Sequence, residues 1–327
     1  MRNLITGGAG FIGSWLAGRL LDLGQEVVIV DDLSTGVVAN IPEGSIYPGP
    51  LDLSVNEKQI AKYAATCDRI YHLAGVVGVD NVVQNANRTR AVNVDGTKLI
   101  LRLAERYATQ VLVTSSSEVY GDLTGALRED TATEITSFLT AYGTTKWEAE
   151  KLAMDSYCRQ RSPLVIVRLF NVIGPRQSWR YGMVVPRFVK QAQQGLDITV
   201  FGSGDQCRSF TDVRDAVSAM IALMSEVRAM GQTINVGSDK CTRIRELAIM
   251  IKAVTGSSSR IVHIPYHHTI RATYVDPLVR IPDLSKARRL IGYRTQYSLE
   301  NTINDVATYL STSLRYPDDS MRSGCCP

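Results

Sequence analysis

The sequence predicts an α/β fold, a doubly wound parallel sheet with a smaller C-terminal lobe, on three observations. Short, β-branched, almost entirely apolar segments alternate with helix-period segments from the N-terminus to about residue 174, and strands of that kind are buried on both faces. A glycine-rich turn stands between the first apolar segment and the first helical one. Finally, 327 residues at 45% hydrophobic and 21% charged can bury a large core, while single cores stop growing near ~250 to 300 residues. Two domains, or one large α/β unit, are therefore expected.

The elements follow in order. Arg2 to Thr6 reads as a strand, and Phe11 to Leu23 as a helix with Phe11, Trp15, Leu16 and Leu20 at helical spacing. A strand Glu26 to Val30, a helix Glu57 to Ala65 and a strand Arg69 to Leu73 come next. A helix Thr89 to Tyr107, a strand Val111 to Ser115, a helix Tyr142 to Gln160 and a strand Leu164 to Phe170 extend the alternation. Beyond Gly174 the pattern is punctuated by Pro and Gly. It reads as a helix Val184 to Gln194, a strand Ile198 to Phe201, a turn Gly202 to Asp205, a helix Arg214 to Met224 and a strand Thr233 to Val236. Helices Ile244 to Thr255 and Leu299 to Thr312 complete it. No internal repeat is visible.

Charge and composition exclude several classes. The formal net charge of +4 is not gathered into a run, so a nucleic-acid stripe is not expected and a small anionic ligand fits better. No stretch of about 18 apolar residues could span a membrane, and Met1-Arg2 leads into a short apolar run rather than a signal peptide; a cytoplasmic protein is expected. The six cysteines (Cys67, Cys158, Cys207, Cys241, Cys325 and Cys326) form no Cys-x-x-Cys pair. They read as buried free thiols, with no metal site and no disulfide framework. Pro317 to Pro327 reads as a polar tail expected to fray.

Two constellations carry chemistry. In Thr6-Gly7-Gly8-Ala9-Gly10-Phe11-Ile12-Gly13, glycines at 7, 10 and 13 allow a tight turn, close backbone approach to a pyrophosphate and close helix packing. The next strand ends at Asp31-Asp32, where a carboxylate accepts hydrogen bonds from an adenosine ribose and repels a 2'-phosphate. This Rossmann-like arrangement predicts NAD rather than NADP. In Tyr142-Gly143-Thr144-Thr145-Lys146, a phenol and an ammonium lie at i and i+4 on one helix face. A neighbouring cation favours phenolate and makes Tyr142 a usable base. Hydroxyls at the strand end Thr114 to Ser117 can face a substrate.

These residues resemble the extended short-chain dehydrogenase/reductase family, specifically its nucleotide-sugar epimerases, dehydratases and decarboxylases, over nearly the whole chain. Further marks are His72-Leu73-Ala74, Asn93 to Thr97, Ser115 to Gly121, Arg168 to Asn171, Gly174-Pro175-Arg176, Phe201 to Gly204, Arg208-Ser209-Phe210 and Asn235-Val236-Gly237. The resemblance implies NAD as a tightly held catalyst and a 4-keto sugar intermediate. It adds Phe11, Ile12, Asp52, Leu53, Leu73, Ala74, Asn93, Thr114 and Phe170 to the cofactor site, and makes His72 structural. Tyr142 and Lys146 become catalytic, with a hydroxyl among Ser115 to Ser117 polarising the C4 oxygen, Ser116 and Ser117 foremost.

Within the family, 4,6-dehydratases carry an Asp-Glu pair where this chain has Ser117-Glu118, which argues against dehydration. Ser115 to Gly121 looks most like the strand end of UDP-glucuronate decarboxylases, and Val279 to Asp283 resembles their Arg-x-Pro segment. Decarboxylation needs a site that holds a carboxylate without over-stabilising it and then supplies a proton at C5. Glu118 and Arg280 are the candidates; the bland alternatives are a capping carboxylate and a phosphate-binding or surface arginine. The resemblance places the UDP moiety in the C-terminal lobe. Phe201 would stack on uracil unless it is simply core, Asn171 would bond a phosphate or sugar hydroxyl, and Arg208 would neutralise the diphosphate, with Arg176 and Arg187 as further candidates.

Two loops, His72 to Asp80 and Trp179 to Pro186, depart from the decarboxylase pattern. A UDP-hexose or UDP-hexuronate 4-epimerase is therefore the alternative, and a non-catalytic nucleotide-binding scaffold a third reading. The expected organisation is an NAD-binding unit over 1–174, a mainly substrate-binding lobe over 175–316 with segments returning to the main sheet, and the tail 317–327. A homodimer pairing through the helices beginning at Thr89 and Tyr142 is expected.

Overall fold

A computed structural model describes residues 1–77, 86–131, 140–160, 163–179, 182–265 and 277–313. The tail from Pro317 with Cys325 and Cys326, and the loop residues Gly78 to Asp80, Arg180 and Tyr181, lie outside the described residues.

The strand β1 (Arg2–Thr6) opens the chain, followed by α1 (Phe11–Asp22) and β2 (Glu26–Val30). Next come α2 (Glu57–Ala64), β3 (Arg69–His72), α3 (Ala86–Arg90), α4 (Gly96–Tyr107), β4 (Gln110–Ser116) and β5 (Ala126–Leu127). Then follow α5 (Ala141–Gln160), β6 (Leu164–Leu169), β7 (Val172–Ile173), α6 (Val184–Gln193), β8 (Ile198–Phe201), β9 (Cys207–Arg208) and β10 (Thr211–Asp212). The described chain ends with α7 (Val213–Ser225), β11 (Gln232–Val236), β12 (Thr242–Arg243), α8 (Ile244–Val254), β13 (Ile261–Ile264), β14 (Val279–Pro282), α9 (Ser285–Ile291) and α10 (Leu299–Ser313).

Six strands form one sheet in the order β11-β6-β4-β3-β1-β2, and every pairing in it is parallel. Parallel neighbours need crossover helices, and those helices cover both faces. On one face Leu16 and Leu20 of α1, Val217 and Met220 of α7 and Leu290 of α9 pack against Ile29, Tyr71 and Leu112. On the other, Ile60 of α2, Leu99 and Leu103 of α4 and Ala153 of α5 pack against Leu4, Ile70 and Val111. The strand order reverses between β1 and β3, and the carboxyl ends of such strands are where ligands bind in open α/β sheets. A separate apolar cluster joins α6, α8, α10 and β8 through Phe188, Leu247, Ile303 and Val200. The fold is an α/β Rossmann fold.

Two local expectations are corrected. The helix expected over Thr89 to Tyr107 is broken by a π turn at Ala91–Asp95, where Asn93 turns inward to bond the Val76 and Thr145 segments. Cys207 and Cys241 are paired as a disulfide rather than free, with Cα atoms 5.6 Å apart. The antiparallel pairing of β9 with β12 sets Arg243 opposite Cys207 and brings Cys241 alongside, a juxtaposition that a sequence separation of 34 conceals. Among the described free cysteines, Cys67 is buried, which pushes its thiol up to about 11, and Cys158 is exposed rather than buried. No helix among the described residues is long and apolar enough to cross a membrane.

Candidate active site

A cavity of about 640 Å³ runs along the carboxyl ends of the central strands. One end is built by the glycine turn. Gly7 has φ +73°, and a Cβ there would sit 2.8 Å from the Ala74 nitrogen; a Cβ on Gly13 would sit 2.1 Å from the Gly7 carbonyl oxygen. Only glycine lets the turn fold onto β3 and α1 start beneath it. Gly10 caps α1 without any side-chain bond to the first-turn N–H groups, and the first turn holds no acidic residue. These are the features of an anion cradle.

Gly10, Phe11, Ile12, Asp31, Asp32, Asp52, Leu53, Leu73, Ala74 and Thr114 all line the cavity. Asp31 is buried and ties the loop together, accepting the Ala9 N–H at 2.9 Å and the Leu33 N–H at 2.8 Å. Burial raises its carboxyl despite those bonds. Asp32 pairs with Arg88 at 2.5 Å, and Asp52 lies 3.6 Å from the same guanidinium. Two carboxylates on one arginine, with Asp31 lining the cavity beside them, disfavour a further phosphate there and suit an unphosphorylated ribose. Arg88 escaped the sequence reading because no turn or periodicity singles out one arginine on a short helix. The glycine cradle, the uncapped α1 and the acidic rim together fit a dinucleotide.

Two predicted cofactor residues act at one remove. Asn93 is buried, accepting the Val76 N–H at 2.8 Å and donating to the Thr145 hydroxyl at 3.1 Å. Phe170 is fully buried against Tyr120, with ring centroids 5.9 Å apart, and does not line the cavity.

Deeper in the cavity stand Tyr142 and Lys146, one turn apart on α5, with Ser116, Ser117 and Glu118 facing them from the end of β4. Lys146 is buried and donates to the Thr114 carbonyl at 2.9 Å. Burial pushes its ammonium down to about 8 against the pull of Glu150. The Tyr142 phenol bonds Ser116, which singles out that hydroxyl among the three serines. Burial and the Glu118 charge raise the phenol well above its ordinary value, and the Ser116 bond offsets part of that. Ser116 also accepts the Glu118 N–H at 3.2 Å, so one hydroxyl joins the strand end to the phenol.

Glu118 and Arg280 meet across 162 positions, Nη1 to Oε1 at 2.6 Å, with Arg280 4% exposed. Arg280 also donates to the Gly121 carbonyl at 3.3 Å and lies opposite Arg208 in the β14–β9 pairing. Arg208 is buried and donates to the Cys207 carbonyl. Neither arginine lines the cavity, whereas Asn171 does, donating to the Ser209 carbonyl at 2.8 Å. Arg187 covers the Phe201 ring at 4.5 Å and donates to Thr199, and Arg176 lies over Trp15 at 5.1 Å; none of the three lines the cavity. No group of three metal-ligating side chains occurs among the described residues.

An anion cradle, an acidic rim and a Tyr-Lys pair on one crevice define a Rossmann-fold enzyme that works on a substrate held beside a dinucleotide. The model of the NAD dependent epimerase/dehydratase family matches residues 3–237, and the chain belongs to that family of NAD-using enzymes. It is 36% identical to UDP-N-acetyl-alpha-D-glucosaminuronate decarboxylase of Bacillus cytotoxicus over 93% of this chain and 96% of that protein. It is 34% identical to UDP-glucuronic acid decarboxylase 1 of Danio rerio over 96% of this chain and 74% of the relative. Among solved structures, the UDP-glucuronic acid 4-epimerase of Bacillus cereus, in complex with UDP-glucuronic acid and NAD, superposes with a TM-score of 0.86. That match has 27% identity and covers 96% of this chain and all of the other.

Proposed function

We propose that the protein is an NAD-dependent UDP-uronate decarboxylase, acting on UDP-glucuronate or a close analogue and yielding UDP-xylose or a UDP-4-keto-pentose. The observation that carries this reading is the pairing of buried Arg280 with half-buried Glu118 beside Tyr142, an acid and a cation where a C4 epimerase needs only base and hydroxyl. The two decarboxylase relatives support it. Bound NAD would supply the hydride acceptor and donor, held by the glycine turn, the acidic rim and Lys146.

In this scheme Tyr142 takes the proton of the C4 hydroxyl while Ser116 polarises the C4 oxygen. The C4 carbonyl makes the sugar a β-keto acid. The bond from C5 to the carboxylate then breaks, the carboxylate leaves as carbon dioxide, and the pair of electrons from that bond passes into the enolate. Glu118, oriented by Arg280, is the proposed relay that takes a proton from water and passes it to C5. The proposed UDP-sugar contacts are Asn171, near the end of an NAD-binding unit over 1–174, and Phe201, Arg176, Arg187, Arg208 and Arg280 of a complementing lobe over 175–316.

Cytoplasmic residence and a homodimer complete the proposal. Tyr107 of α4 and Leu152 and Met154 of α5 stay partly exposed, which supports pairing through these helices; a monomer by light scattering at micromolar concentration would refute it. A second reading, 4-epimerisation of a UDP-hexuronate, is favoured by the superposition on the Bacillus cereus enzyme. Purified protein given a panel of UDP-sugars decides between them. Carbon dioxide from a uronate supports the proposal, and an isomer of unchanged mass supports epimerisation.

A further inference from the structure

Arg280 holds one oxygen of Glu118, and the other is held from the helix that bears Tyr142. Thr140, the residue immediately before α5, donates its hydroxyl to Glu118 Oε2 at 3.2 Å. The Thr140 hydroxyl oxygen in turn accepts the Gly143 N–H at 3.0 Å, and the Thr140 carbonyl accepts the Thr144 N–H at 3.2 Å. This is the pattern of a helix N-cap, with the side chain satisfying a first-turn donor. A hydroxyl has one proton to give, and here it goes to the carboxylate. Capping alone needs no such gift, because an acceptor oxygen suffices.

We infer that Thr140 is a positioning residue that locks the Glu118 carboxylate to the N-terminus of α5, so that Glu118 and Tyr142 share one rigid frame. Arg280 reaches Glu118 from β14, more than a hundred positions away, and fixes it against the C-terminal half. Thr140 fixes it against the base, so the carboxylate cannot swing toward Arg280 without pulling on α5. The inference rests on the proposed roles of Tyr142 and Glu118. It adds that the spacing of the two groups is set by one hydroxyl which neither the glycine turn nor the Tyr-Lys pair announces.

Three substitutions in the full-length chain separate positioning from capping. Thr140→Val keeps the branched shape and removes both bonds, Thr140→Ser keeps both, and Thr140→Asp keeps a strong cap but replaces the donor with a charge facing Glu118. The expected result on UDP-glucuronate is a fall in kcat of about tenfold for Thr140→Val, as for a lost hydrogen bond to a charged group. KM should stay within about twofold, Thr140→Ser should restore most of the rate, and Thr140→Asp should be at least as slow as Thr140→Val. A Thr140→Asp enzyme as fast as the wild type would reduce Thr140 to a cap and overturn the inference. If the wild type releases no carbon dioxide, the decarboxylase reading fails on that result alone. The crystal structure of Thr140→Asp then judges Thr140: Glu118 displaced from its place beside residue 140 upholds the inference, and Glu118 unmoved overturns it.

Discussion

Tyr142 shows how one residue is tuned by opposing neighbours. Burial and the Glu118 charge hold its phenol protonated, and Lys146 on the next turn, itself pushed down to about 8, lies over the ring with Nζ 5.9 Å from the centroid. A positively charged ring bound in the cradle is the added influence that would bring the phenol toward ionisation. Replacing Tyr142 with Phe removes the proposed base and little volume. Turnover should fall by roughly 10²- to 10⁴-fold while NAD stays with the purified protein, read as dinucleotide released on denaturation. Activity within tenfold of the wild type would show that another group takes the C4 proton. This pair was legible in the sequence because positions four apart share a helix face. Thr140 was not, because a lone threonine before a helix signals a cap and says nothing of a partner 22 positions back.

At the scale of elements, α5 is anchored by more than its apolar stripe. One turn beyond Lys146, Glu150 makes a two-pronged pair with Arg168 of β6 at 2.7 and 2.9 Å, both residues buried, and the guanidinium lies 4.8 Å over the Tyr120 ring. Tyr120 in turn donates to Asn235 of β11 at 2.7 Å. The helix carrying the base is thus tied through one polar chain to the two strands at the sheet edge. Glu150→Gln leaves the Arg168 charge buried without its partner and should destabilise the fold by roughly 3 kcal/mol in urea unfolding. Replacing both residues with Met should recover most of that loss; a single variant as stable as the wild type would show the pair to be idle. Long periodic elements such as α1, β2 and α5 were readable from the sequence to within a residue. The strands β5, β7, β9, β10 and β12, each two residues long, were not, since two residues carry no period and such strands exist only through distant partners. The same reason hid the Cys207–Cys241 link.

The whole molecule carries a small positive charge, yet His72 at its centre is neutral. His72 is buried beneath the cavity between Thr6, at 2.7 Å from Nδ1, and Thr97, at 3.0 Å from Nε2. Thr97 gives its own proton to the Asn93 carbonyl, so His72 donates from Nε2 and accepts at Nδ1. Burial, with the Lys146 charge, pushes its pKa down to about 3 from 6.5. Between those values the unfolded chain binds a proton that the folded one refuses, so stability is full above about 6.5 and falls as pH drops toward 3. The slope from this group is at most ~1.4 kcal/mol per pH unit. Urea midpoints should decline across this range in the wild type and flatten in His72→Asn; equal slopes would place the acid sensitivity elsewhere.

In the proposed reaction one frame of Tyr142, Ser116, Glu118 and Arg280 would support oxidation at C4, with NAD as the hydride acceptor, and then loss of the C5 carboxylate as carbon dioxide. Running the reaction on UDP-glucuronate in heavy water and weighing the product tests it most directly. The expected product is a UDP-pentose or UDP-4-keto-pentose that has lost carbon dioxide and gained carbon-bound deuterium at C5. A UDP-hexuronate of unchanged carbon count would contradict it.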